Sequence, residues 1–188
     1  MYPVNESTMN LSDYVKVYDD ALPVDYCNQL IQDFESYTRK KYQDDDIKRF
    51  TEINIMQAGW NYAPLIAAFQ RYQHRYWDEC GLDDRHIQPD FNWEEIRMKR
   101  YLPHVDEFRP HVDTYNANSM RRFLVYFWYL NNVEDGGETE IYGLDRPIRV
   151  QPRQGRLIVF PTTWQYLHAG RIPRSGPKYI IGGYLHYN

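Results

Sequence analysis

RFLVYFWYL, residues 122–130, sets how the rest of the chain is read. Side chains of a strand alternate between its two faces, and here branched and aromatic residues occupy both. Such a run belongs in the middle of a sheet that is covered on each side. Working outward, residues 98–103 (MKRYLP) read as a strand stopped by a proline, and residues 114–121 read as a polar loop. Downstream, GGETEI at 136–141 turns and re-enters a strand, residues 149–152 are short, and GRLIVFP at 155–161 is again apolar. Residues 164–170 and 178–187 complete about seven or eight short strands punctuated by Gly, Pro and Asn, the pattern of a sandwich or closed barrel.

The chemistry-bearing residues lie between and after these strands. The tripeptide His-Val-Asp occurs twice, at His104-Val105-Asp106 and at His111-Val112-Asp113, and a late histidine, His168, sits inside another strand-like segment. Residues i and i+2 of a strand point the same way, so a His-x-Asp pair can bind one ion, with the third ligand supplied by a strand distant in sequence. Two His and one carboxylate on one face of an ion form the facial triad of non-haem Fe(II) oxygenases. On the residues alone, either His-x-Asp pair could serve.

The order of motifs resembles a known family, the Fe(II)- and 2-oxoglutarate-dependent dioxygenases of the prolyl 4-hydroxylase type. The resemblance runs from about Arg97 to the C-terminus. It is carried by Arg100-Tyr101-Leu102-Pro103, His111-Val112-Asp113, Tyr129-Leu130-Asn131, Gly136-Gly137-Glu138-Thr139, Gly155 to Phe160, His168-Ala169-Gly170 and Lys178. The family's spacing after the Arg-Tyr pair selects His111 and Asp113 over His104 and Asp106. The resemblance implies His111, Asp113 and His168 as Fe(II) ligands. It implies Lys178 as the cation for the far carboxylate of 2-oxoglutarate, a group too costly to bury unpaired. Tyr129 and Tyr101 match tyrosines that help hold the same cosubstrate. The implied fold is mainly β with flanking helices (α+β): a double-stranded β-helix, or jelly-roll and cupin-like barrel, with N-terminal helices packed on one sheet. The implied activity is hydroxylation of an unactivated C–H bond with O2, 2-oxoglutarate being converted to succinate and CO2 and ascorbate serving as reductant. A prolyl residue of a peptide or protein is the expected acceptor, with a free amino acid or other small molecule as the alternative. A cupin-like metal- or peptide-binding module is the non-enzymatic alternative. One departure is plain: the family usually carries Trp where this chain has Tyr184.

Strand parity makes a separate prediction for the last segment. If Lys178 faces the barrel interior, so do Ile180, Gly182 and Tyr184, while Tyr179, Ile181, Gly183 and Leu185 face away. Gly182 would then leave room near the cosubstrate, or the Gly182-Gly183 pair would mark a bulge or bend. Arg122, Trp128, Trp164, Tyr166 and Arg171 are candidate substrate contacts at the barrel mouth.

The N-terminal part predicts a strand at 14–18, then a helix with Pro23 near its first turn and Cys27, Leu30, Ile31 and Phe34 on one face. A second helix is expected over 63–80, with Leu65, Ile66, Phe69, Tyr72, Tyr76 and Trp77 as its buried stripe and Gly81 beyond its end. The charged run at 39–49 reads as a solvated loop, or else as a lid. The chain of 188 residues is long enough for one domain, with N-terminal strand and helices over about 12–95 and the barrel core over about 96–188. Its net charge of −4 and lack of a basic block argue against a nucleic-acid partner. Cys27 and Cys80 suit reduced core thiols. No signal-peptide-like start and no long apolar span are seen, so a cytoplasmic location without membrane contact is expected.

Overall fold

The computed structural model describes residues 9–188; the expectation about a leader segment falls partly on residues 1–8 and lies outside them. Twelve strands and two α-helices are found among the described residues. They are β1 (Lys16–Tyr18), α1 (Val24–Ser36), β2 (Lys41–Asp44), β3 (Arg49–Asn54), α2 (Ala63–Glu79), β4 (Phe91–Trp93), β5 (Arg97–Tyr101) and β6 (Phe108–His111). After them come β7 (Arg122–Tyr129), β8 (Thr139–Ile141), β9 (Ile148–Val150), β10 (Leu157–Pro161), β11 (His168–Gly170) and β12 (Lys178–Tyr187). Eight strands form one antiparallel sheet in the order β1-β10-β7-β12-β5-β3-β2, with β4 also paired to β12; the other four form a second sheet, β6-β11-β8-β9. The expected jelly-roll architecture is the one observed, and β7 lies inside the large sheet between β10 and β12.

The two faces of the large sheet bury different things. Leu124, Tyr126, Trp128 and Leu130 of the β7 segment pack outward against α1 and α2, while Val125 and Tyr129 point into the barrel. The helices meet this face with residues at helical spacing, Cys27, Leu30 and Phe34 from α1 and Leu65, Ala68, Phe69 and Tyr76 from α2. Phe69 stacks on Tyr126 at 4.1 Å between ring centroids and meets Trp128 edge-on. Each such aromatic pair adds about 0.5–1.5 kcal/mol beyond burial. Cys27 and Cys80 are both buried and free. No described helix is long and apolar enough to cross a membrane.

The charged run at 39–49 departs from the expected loop. Residues 41–44 and 49–54 pair as an antiparallel hairpin at the end of the large sheet. Its turn is held by Asp45, whose carboxylate accepts from the backbone N–H of Ile47 and Lys48. The hairpin is stitched to β6 of the other sheet: Arg49 N–H donates to Glu107 O at 2.8 Å, and Arg109 N–H to Ile47 O at 2.7 Å. A charge-rich run forms strand here because neighbouring backbone supplies the hydrogen bonds that its side chains cannot replace.

Candidate metal and cosubstrate site

His111 ends β6 and His168 begins β11, and the two are directly opposed in the antiparallel register. Asp113 follows two residues after His111. The nearest ligand-capable atoms of His111, Asp113 and His168 all lie within 4.8 Å of one another. His111 Nε2 is 3.7 Å from Asp113 Oδ1, and His168 Nε2 is 3.6 Å from Asp113 Oδ2.

Both imidazoles are fixed in one tautomer by the backbone. His111 Nδ1 donates to Arg109 O at 2.8 Å, and His168 Nδ1 donates to Tyr166 O at 3.0 Å. Each Nε2 therefore turns a lone pair toward the common centre, as a metal ligand requires. Burial, and then the facing His168 ring, push His111 down to about 3, so it stays neutral at physiological pH. Phe108 stacks on His111 at 3.5 Å, and Phe160 packs edge-on to His168 at 4.9 Å, which seals the rings from the sides.

Asp113 is 4 % exposed. Its Oδ1 accepts a 2.8 Å hydrogen bond from the Tyr184 hydroxyl, while its Oδ2 is buried with no partner. A buried carboxylate oxygen left unpaired costs several kcal/mol unless a cation takes it. The donor set fits a divalent metal. Behind Tyr184, the Arg122 guanidinium lies 4.0 Å from its ring centroid, donates from Nη1 to Asp113 O at 3.2 Å and is held by Glu94. Tyr184, where the resemblance leads one to expect Trp, thus supplies a hydroxyl that orients the carboxylate.

The other His-x-Asp pair takes no part. His104 is exposed on a turn at φ 62°. Asp106 is wholly buried, accepting from Leu102 N–H at 2.8 Å and from the Tyr42 hydroxyl at 3.1 Å.

A cavity runs from the His-Asp-His cluster between the two sheets to Lys178. Lys178 is 2 % exposed, donates to Gly137 O at 3.0 Å, and lies 4.3 Å from the Tyr101 ring centroid. Burial lowers its ammonium to about 7; Glu138 partly opposes that fall and Lys99 adds to it. The Gly136-Gly137 turn makes this possible. Both residues adopt positive φ, and a side chain at Gly136 would lie 2.3 Å from Ile172 O, so only glycine lets Gly137 O reach the lysine. Thr139 and Tyr101 line the same cavity. Tyr129 does not: its hydroxyl bonds Thr139 Oγ1 at 2.6 Å and Val150 O at 3.3 Å inside the core, so it reaches the cavity only through Thr139.

The parity expected for β12 holds for its side chains: Lys178, Ile180 and Tyr184 line the cavity with Gly182, and Tyr179, Ile181 and Leu185 pack into the helix-side core; Gly183, expected to face away, also borders the cavity. The role foreseen for Gly182 does not hold. A Cβ there would lie 2.1 Å from Tyr126 O and 2.5 Å from Phe127 Cα, so the glycine permits close approach of β7 and β12 rather than space for a ligand. Among the candidate substrate contacts, Trp128 is fully buried under the helices and Tyr166 is buried with its hydroxyl on Leu11 O. Arg171 is engaged with Glu140. Trp164 is 76 % exposed.

Sequence reasoning gave no role to Thr139 or Lys99. Lys99 could have been found by counting two residues back along its strand from Tyr101; Thr139 opens β8 and had no such signal.

Residues 96–186 match the family model described as the 2OG-Fe(II) oxygenase superfamily. Among solved structures, the viral collagen prolyl hydroxylase of Paramecium bursaria Chlorella virus-1, in complex with 2OG, is similar at TM-score 0.67 and 20% identity, over 93% of this chain and 97% of that one. A Pseudomonas putida prolyl-4-hydroxylase is similar at TM-score 0.64 and 19% identity, over 93% and 92%. A Trichoplax adhaerens prolyl hydroxylase, in complex with a hypoxia inducible factor peptide fragment, is similar at TM-score 0.70 and 14% identity, over 93% and 84%. No curated protein sequence matches the chain. Residues 96–186 thus carry the pattern of the 2OG-Fe(II) oxygenase superfamily, and the chain shares its fold with these prolyl hydroxylases.

Proposed function

We propose that the chain is a dioxygenase in which His111, Asp113 and His168 ligate Fe(II) and Lys178 anchors 2-oxoglutarate, and that it hydroxylates a prolyl residue. One observation carries the metal assignment: Asp113 Oδ2 is buried without a partner, between two imidazoles whose Nδ1 atoms are already committed to carbonyls. When bound, Fe(II), 2-oxoglutarate and O2 supply oxidative decarboxylation to succinate and CO2 coupled to hydroxylation of a C–H bond.

The chain's own residues position and shield these groups. Tyr184 holds Asp113 Oδ1, which leaves Oδ2 for the metal. Lys178, fixed by Gly137 O at the inner end, meets the far carboxylate of the cosubstrate, with Tyr101 beneath it and Thr139 beside it. Phe108 and Phe160 keep water from the imidazole faces. A prolyl acceptor is supported by two exposed aromatic side chains near the ligands, Tyr115 (73 % exposed) and Trp164 (76 % exposed). They sit on loops joined by the Thr114–Thr162 hydroxyl bond at 2.8 Å. Flat exposed rings suit stacking on a pyrrolidine ring. The helices and barrel act together as one catalytic domain.

The test is calorimetric binding of 2-oxoglutarate to the Mn(II)-loaded protein, followed by succinate release from the Fe(II) form in O2. Both are expected in the wild type and lost in Lys178→Ala. Absence of cosubstrate binding to the metal-loaded wild type would overturn the assignment and leave a cupin-like metal-binding module.

A further inference from the structure

Lys99 is the charged group in the cavity that neither the metal nor the cosubstrate accounts for. It sits on β5 two residues before Tyr101, so the two share the cavity face. Its strand neighbours are Ile180 on β12 and Glu52 on β3. The surface that Lys99 retains faces the cavity. Its Nζ lies 4.9 Å from the Phe50 ring centroid and 5.5 Å from that of Phe108, the ring that stacks on His111. The ammonium is therefore one aromatic ring away from a proposed metal ligand.

The other ions near it are engaged with protein groups or, in the case of Asp113, committed to the metal in the dioxygenase reading. Lys178 donates to Gly137 O. Glu52, directly across from Lys99, accepts from Gln43 at 2.6 Å and from Arg97 Nη1 at 3.2 Å. Arg97, nearer the solvent, also pairs with Glu95 at 2.5 Å. Among the described residues, no acceptor lies within hydrogen-bond or ion-pair distance of Lys99 Nζ, and two aromatic faces supply its only close stabilisation. A lysine in such a place, with a flexible stem and three donors, is arranged to receive an anion that arrives from outside.

We propose that Lys99 binds a carboxylate of the acceptor, so that the substrate presents a free carboxylate inside the cavity: a free amino acid, or the C-terminal residue of a peptide. The inference rests on the dioxygenase reading. In that reading Fe(II), Asp113, the dicarboxylate cosubstrate and Lys178 sum to no net charge, so the cosubstrate is neutralised without Lys99. It narrows the prolyl acceptor to free proline or a chain-terminal prolyl residue.

The experiment uses the full chain loaded with Mn(II) and saturated with 2-oxoglutarate. Binding is read by calorimetry for a panel of the common L-amino acids and Gly-Pro, each as the free acid and as its amide. In the wild type, at least one free acid should bind about tenfold or more tightly than its amide, the size of one charge-assisted hydrogen bond. Lys99→Met should erase that preference, Lys99→Arg should restore most of it, and 2-oxoglutarate affinity should be unchanged in both. Equal binding of every acid and its amide to the wild type would overturn the proposal. So would a preference that survives Lys99→Met, or a loss of 2-oxoglutarate affinity in Lys99→Met that matches the loss for the acids. Failure of the wild type to bind 2-oxoglutarate at all would instead break the dioxygenase reading, and is seen in a separate titration.

Discussion

The same tripeptide, His-Val-Asp, is used twice within ten residues and does unrelated things. At 111–113 it ends a strand, so the first and third side chains turn into the barrel and meet His168 across the sheet. At 104–106 it lies on a turn, with His104 at φ 62° in solvent and Asp106 wholly buried beneath it. Both aspartates are buried, yet they differ in what satisfies them. Asp106 has a backbone N–H and a tyrosine hydroxyl, whereas Asp113 has one tyrosine hydroxyl and one oxygen with nothing. The carboxylate that is fully partnered is architectural, and the one that is half-partnered is the one we propose as a metal ligand.

Substitution should separate the two pairs sharply. Asp113→Ala is expected to abolish metal binding and turnover while the fold persists; retained stoichiometric Mn(II) binding by calorimetry would sink the ligand assignment. Tyr184→Phe removes the partner that orients Asp113, and metal affinity should fall about tenfold, in the range for loss of an outer hydrogen bond to a ligand. An unchanged affinity would show that the hydroxyl is idle. Asp106→Ala should do the reverse, lowering stability by about 1–3 kcal/mol in urea unfolding because a part-buried N–H and hydroxyl lose their buried acceptor, with metal affinity preserved.

The proton behaviour of His111 offers a subtler test on the metal-free protein. Its folded-state value is held at about 3, whereas the unfolded chain takes up that proton near the ordinary histidine value. The unfolded state therefore binds more protons between those values, and stability falls as pH drops through that window. Between pH 7 and 5 the wild type should lose about 1–2 kcal/mol more than His111→Gln. Equal losses would mean that the ring is not held neutral. The smallest effect is expected for His104→Gly, within about 0.5 kcal/mol in stability and with no change in metal affinity, since the side chain is exposed and glycine accepts the positive φ.

How much of this was legible in the chain depends on whether a local rule sufficed. Alternation along β12 placed Lys178 and Tyr184 correctly, because one charged residue fixed the phase of the whole strand. The same rule could not phase residues 122–130, where both faces are apolar, and so Trp128 was an open candidate for the mouth although it packs under the helices. The hairpin at 41–54 was hidden for the opposite reason. Its charges signal solvent, while what makes it strand is backbone pairing to β5 and stitching to β6, contacts distant in sequence. The bond from Tyr184 to Asp113 spans 71 positions and had no sequence signal beyond the departure from the family's Trp.

The crowding at Gly182 also limits how this pocket could be re-tuned, by selection or by an engineer. Five residues of β12 line the cavity. Lys178 is constrained by charge, Tyr184 by its hydrogen bond, Gly182 by a neighbouring carbonyl 2.1 Å from where any side chain would begin, and Gly183 by Glu95 O at 3.1 Å from the same point. Ile180 alone is held by nothing but its size. On this strand, acceptor preference has a single adjustable position, and saturation of that codon would sample nearly all the variation the strand can tolerate.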